Sequence, residues 1–133
     1  MNDKPRYHYR FSQFSKAYEM LKEAVEDVDH LNRLEQEGLI QRFEYSFELA
    51  WKLLKDYLDD QGITVTSPRK TIKTAFSEGI IKDGDSWIVM LESRNILSHT
   101  YNQEHFKKSV EMIENTFFPN LTNLHRTFKE DLM

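Results

Sequence analysis

Phe11, Phe14, Tyr18, Leu21, Val25 and Val28 recur at steps of three, four, three, four and three residues. That rhythm is the period of a helix that buries one seam, and a strand, whose faces alternate every second residue, cannot use it. A second run, Leu39, Phe43, Phe47, Ala50, Trp51, Leu54 and Leu58, repeats the pattern. The first run predicts a long helix ended by Gly38, and the second a helix from Leu39 to the expected C′ glycine, Gly62. Two such amphipathic helices in succession predict an antiparallel hairpin, each covering the other's apolar face.

The rest of the chain continues in helical units. ITVTS, residues 63–67, carries β-branched residues but has no neighbouring strand to pair with, so it reads as an extended connector. Ser67 and Pro68 form an N-cap and first-turn pair that opens a third helix, with Ile72, Ala75 and Phe76 inward and Gly79 closing it. KDGD, residues 82–85, is a turn from which Asp85 caps a fourth helix bearing Trp87, Met90 and Leu91. Asn102 caps a fifth, bearing Phe106, Val110, Ile113 and Phe117. Pro119 interrupts this last pattern, which resumes at Leu121, Leu124 and Phe128, so the chain either kinks there or begins a short final helix. The expected fold class is all-α, with about five helices in a single domain over residues 1–133.

Size and charge limit what such a bundle can do. A chain of 133 residues is one domain's length and buries roughly two-thirds of its unfolded surface. It contains no cysteine, which excludes disulfides and thiolate metal sites and points to a cytoplasmic location. The N-terminal MNDKPRYHYRF lacks the apolar core of a signal peptide, and no run reaches the roughly 18 apolar residues of a membrane span. A net charge of -4 argues against a broad electrostatic footprint on nucleic acid, so any such contact is expected to be local.

One stretch, SRNILSHTYN at residues 93–102, does not fit an ordinary helix stripe. Arg94 lies seven residues after Trp87 and so shares its apolar face, where an arginine needs an anionic partner. His99 would sit about 140° around a continuous helix from Arg94, so the two converge only if the helix ends between them or a second subunit supplies one. An arginine beside a histidine suits phosphodiester chemistry, because guanidinium grips phosphate oxygens and imidazole titrates near neutral pH. Taken alone, the spacing favours a structural reading, an interface arginine followed by a helix-terminal histidine.

SRNILSHTYN resembles the signature of the HEPN superfamily, an arginine, usually followed by a polar residue, that precedes a histidine with four to six residues between them. Arg94, Asn95 and His99 match it, and Tyr101 gives the form found in HEPN proteins encoded beside minimal nucleotidyltransferases. FEYSFELAWKLLKDYL, residues 43–58, and WIVMLESRN leading into HTYN are similar to the subgroup called nucleotidyltransferase substrate-binding proteins. The resemblance implies an up-and-down antiparallel helical bundle that forms a homodimer, or a larger assembly built from it, with both subunits' motifs lining one cleft. It further implies metal-independent RNA cleavage in which Arg94 binds the phosphate, His99 moves the proton and Asn95 orients them. Tyr101 would be the acceptor of AMP from a nucleotidyltransferase encoded nearby. The alternative it leaves open is a non-enzymatic subunit that binds nucleotide or substrate for that partner. No cofactor is expected.

Other charged groups are weaker candidates. Arg69, Lys70, Lys73, Lys107 and Lys108 could meet RNA phosphates, although solvated helix faces are the favoured reading in an acidic chain. Glu44, Glu48 and Lys52 lie one turn apart, as in an ion-pair ladder, and are assigned no chemistry. Trp51 and Trp87 fall on apolar stripes and are expected in the core, while His8, His30, His105 and His125 show no metal-ligand spacing.

Overall fold

A computed structural model describes residues 4–97 and 103–132, excepting the side chains of residues 95–97. Its helices are α1 (Arg6–Glu26), α2 (Arg33–Asp60), α3 (Pro68–Ser77), α4 (Gly84–Leu97), α5 (Gln103–Met112) and α6 (Phe118–Leu132), and no strand occurs among the described residues. A π-helical turn, Ile113–Phe117, joins α5 and α6 into one continuous helical stretch, so the bundle has five helical rods among these residues. The all-α bundle of about five helices is as expected.

The predicted apolar stripes are the core. Phe14, Leu21, Phe43, Phe47, Leu54, Leu58, Trp87, Met90, Phe117 and Leu121 are each fully or almost fully buried. The long helix α2 is central: it packs against α1, α3, α4, α5 and α6, and α1 also lies along α6. Its two aromatic anchors continue into the neighbours, Phe43 stacking on Phe117 at 5.1 Å and Phe47 meeting Trp87 at 6.2 Å between ring centres.

Two boundaries and one side chain differ from the sequence reading. The first hairpin turns at residues 27–32 through a short 3₁₀ turn (Val28–His30), not at Gly38, which lies inside α2. The reason is a capping box. The Asn32 side chain accepts from the Glu35 N–H (2.8 Å), and the Glu35 carboxylate accepts from the Asn32 N–H (2.9 Å), satisfying two otherwise orphaned donors. At α4 the capping group is Asp83, whose carboxylate accepts from the Ser86 N–H and hydroxyl, rather than Asp85. Phe76, expected inward, is 54% exposed and rests over Gly84, where a Cβ would come within 2.8 Å of Phe76 Cγ.

Other local expectations hold. Gly62 and Gly79 take positive φ values of 84° and 76°, as helix-ending glycines do. Ser67 Oγ caps Lys70 N–H at 3.2 Å with Pro68 in the first turn. At Pro119 the pattern is interrupted as expected: a π-helical turn precedes it, the last helix α6 runs from Phe118, and the Asn120 side chain donates to the Thr116 carbonyl at 2.9 Å.

Candidate functional site at the end of α4

Arg94 stands in the last turn of α4 on the face that carries Trp87 (1% exposed) and Met90 (0% exposed) deeper in the core. Its own side chain is about one-quarter exposed, so the stripe runs from sealed to half-open along the helix. The anionic partner that such an arginine requires is Glu48 of α2: Arg94 Nη1 donates to Glu48 Oε2 at 2.8 Å. The other carboxylate oxygen, Oε1, lies 3.8 Å from Lys52 Nζ. Glu48 thus belongs less to a ladder along α2 than to a triad in which one carboxylate faces two cations from two helices.

Glu48 is the site residue that helical spacing does not single out. The signal available is its position on FEYSFELAWK, three residues before buried Trp51 and four before Lys52. That fixes a half-buried face but not the arginine 46 residues later that would meet it. Glu44, one turn earlier, is also engaged in an interaction.

Both helices that bring the triad together are anchored independently of it. Seven residues before Arg94, Trp87 locks α4 against Phe47 of α2. On the far side of the motif, α5 is tied to the start of α2: Arg33 Nη1 donates to Gln103 Oε1 at 2.6 Å, and its guanidinium lies 3.6 Å from the centre of the Phe106 ring. Asn95 is in α4, its side chain outside the described residues, and His99 and Tyr101 lie outside them altogether.

The remaining candidates separate. Arg69 does not present a free charge, since its Nη2 meets Glu92 Oε2 of α4 at 3.2 Å in an exposed ion pair. Lys70 and Lys73 of α3 and Lys107 and Lys108 of α5 are exposed. Trp51 and Trp87 are buried, as expected. Among the described residues no group of three or more histidines and carboxylates could hold a metal ion. His125 is buried between α1 and α6, bonded to Ser15 Oγ at 2.9 Å and stacked on Tyr18 at 4.3 Å; burial pushes its pKa below the usual value.

The described residues thus place a half-open arginine against a carboxylate at the end of α4 in an all-helical frame. The comparisons with known proteins are more specific. Residues 9–130 match the family described as nucleotidyltransferase substrate binding protein like. The chain therefore belongs to this family, a HEPN-like group. A protein of Thermus thermophilus, known from its crystal structure, superposes with a TM-score of 0.72 at 29% identity, covering 90% of this chain and 98% of the other. A protein of Haemophilus influenzae (strain ATCC 51907 / DSM 11121 / KW20 / Rd), named a probable ribonuclease HepT, is 35% identical over 72 residues, 50% of this chain. The match spans about half of that relative's length, 49%. Among the described residues no helix is long and apolar enough to cross a membrane.

Proposed function

We propose that this chain is the ribonuclease component of a two-component system with a nucleotidyltransferase, and that it cuts RNA without a metal ion at a site built around Arg94. The observation that carries the reading is the placement of the Arg94 guanidinium, presented half-open at the end of α4 and bonded to an oxyanion, the Glu48 carboxylate, at 2.8 Å. The name of the Haemophilus relative and the family description support the two halves of the proposal.

In the reaction, the RNA 2′-oxygen attacks the adjacent phosphorus, the bond from phosphorus to the 5′-oxygen breaks, and a 2′,3′-cyclic phosphate and a 5′-hydroxyl result. His99 takes the 2′-hydroxyl proton or returns one to the leaving oxygen. Arg94 binds the non-bridging oxygens, whose charge grows in the transition state, and Asn95 orients the pair. Two copies of the chain, their motifs facing each other across a twofold axis, complete the cleft. Transfer of AMP from ATP to the Tyr101 hydroxyl by the partner, with release of pyrophosphate, would place a second phosphate where the RNA phosphate binds, silencing the site by occlusion and repulsion.

Cleavage of a labelled single-stranded RNA in the presence of excess chelator tests the proposal. Activity should persist with chelator and vanish in His99→Ala; cleavage unaffected by that substitution would refute the assignment. Incubation with the nucleotidyltransferase, ATP and magnesium should attach AMP to wild-type protein and not to Tyr101→Phe. The second reading, a non-enzymatic substrate-binding subunit, is favoured by the wording of the family description and predicts nucleotide binding with no cleavage under any condition.

A further inference from the structure

We infer that Glu48 occupies the phosphate position at Arg94 and thereby sets the affinity of the site for RNA. The inference rests on the reading of Arg94 as a phosphate ligand and adds a residue of α2 to it.

Three observations lead there. First, Arg94 Nη1 already donates to Glu48 Oε2 at 2.8 Å, the distance of a charge-assisted bond, and a guanidinium accepts carboxylate and phosphate oxygens through the same fork of donors. Second, the pair is open: the Glu48 side chain is 40% exposed and that of Arg94 26%, so water can replace either partner and an incoming phosphate can reach the bond. Third, Glu48 Oε1 lies 3.8 Å from Lys52 Nζ, itself 41% exposed, so the same carboxylate offsets a second cation on the same surface.

The carboxylate therefore does to the empty site what a substrate phosphate would do to it. When RNA enters, the phosphate must take over the Arg94 donors, and the Glu48 carboxylate must turn away or share them at the cost of facing a like charge. Lys52, one turn along α2, is released by the same movement and becomes a second contact for the RNA backbone. Weak binding of unselected RNA follows from this competition, and in a chain of net charge -4 no broad basic surface compensates for it.

The test is binding of a fluorescein-labelled single-stranded RNA bearing 2′-O-methyl groups throughout, which removes the attacking hydroxyl, read by anisotropy at low salt. Wild type, Glu48→Gln, Arg94→Ala and the double variant are compared after circular dichroism and melting show each to be folded. Glu48→Gln keeps the shape of the side chain and removes its charge, and should bind on the order of fivefold more tightly than wild type, the size expected for release of one exposed ion pair. The gain should shrink as salt is added. It should shrink to the part that Lys52 supplies when Arg94 is already alanine, because the carboxylate then has only that cation left to occupy. Equal or weaker binding by Glu48→Gln, with Arg94→Ala still impaired, overturns the inference and leaves the Arg94 reading standing. A gain that survives undiminished in the double variant also overturns it, since Glu48 would then act without Arg94, as a general negative charge. Wild-type binding by Arg94→Ala would remove the underlying reading, and the inference with it.

Discussion

Helix α2 receives two arginines from other helices, and the two contacts are alike in length and unlike in surroundings. Arg10 of α1 donates to Asp56 at 2.9 Å, and Arg94 of α4 donates to Glu48 at 2.8 Å. The Asp56 side chain is only 6% exposed, while that of Glu48 is 40% exposed. A carboxylate without water has no partner but its arginine, so the Asp56 contact is fixed once the chain folds. A carboxylate in water exchanges partners readily, and its contribution to stability is small. Equal distances thus describe a staple in one case and a replaceable occupant in the other.

The largest way to break the comparison is by activity. Arg94→Ala should lower RNA cleavage by about two to three orders of magnitude, the usual loss when one donor to a developing oxyanion is removed. Its melting temperature should barely move. Asp56→Ala should do the reverse: it strands a partly buried Arg10 and should cost about 2 kcal/mol of stability, measured by urea unfolding, while the folded fraction still cleaves. Glu48→Ala should cost no more than about 0.5 kcal/mol in the same experiment, as an exposed pair would. A Glu48 penalty as large as that of Asp56 would mean that the two contacts are both structural.

His125 of α6, packed against α1, sharpens the same lesson. Its neutral form is preferred because it is buried, so the folded protein resists its protonation and the group's pKa is lowered. The unfolded chain therefore binds more protons between the lowered value and about 6.5, and stability is lost as pH falls through that window. Unfolding free energy measured across mildly acidic pH should decline in wild type and decline less steeply in His125→Gln. Identical slopes would show that the imidazole is not the group being titrated.

The helices are legible because burial and periodicity are local facts. Leu39, Phe43, Phe47, Ala50, Trp51, Leu54 and Leu58 lie on one face by spacing alone, and all are buried. The start of α2 is legible too, in the Asn32 to Glu35 capping pattern, yet the more conspicuous Gly38 draws the expected boundary away from it. Phe76 departs from expectation because its period points inward, whereas its helix ends one residue later at Ser77 and the ring lies out over Gly84. Periodicity gives Arg94 a face and the need for an anion. It cannot supply Glu48, because which carboxylate meets an arginine depends on how α2 and α4 cross, and that is decided by Phe47 and Trp87 rather than by any residue near either charge. The motif Arg94, Asn95, His99 and Tyr101 is visible as a resemblance, and of its side chains only Arg94 falls among those described.

The most direct measurement is the rate of RNA cleavage per folded molecule, with chelator present, for Arg94→Ala and Arg10→Ala side by side. Both substitutions delete an arginine that bonds a carboxylate of α2, and both change the net charge by one. The account predicts wild-type cleavage by folded Arg10→Ala and almost none by Arg94→Ala. Equal rates for the two variants would contradict it.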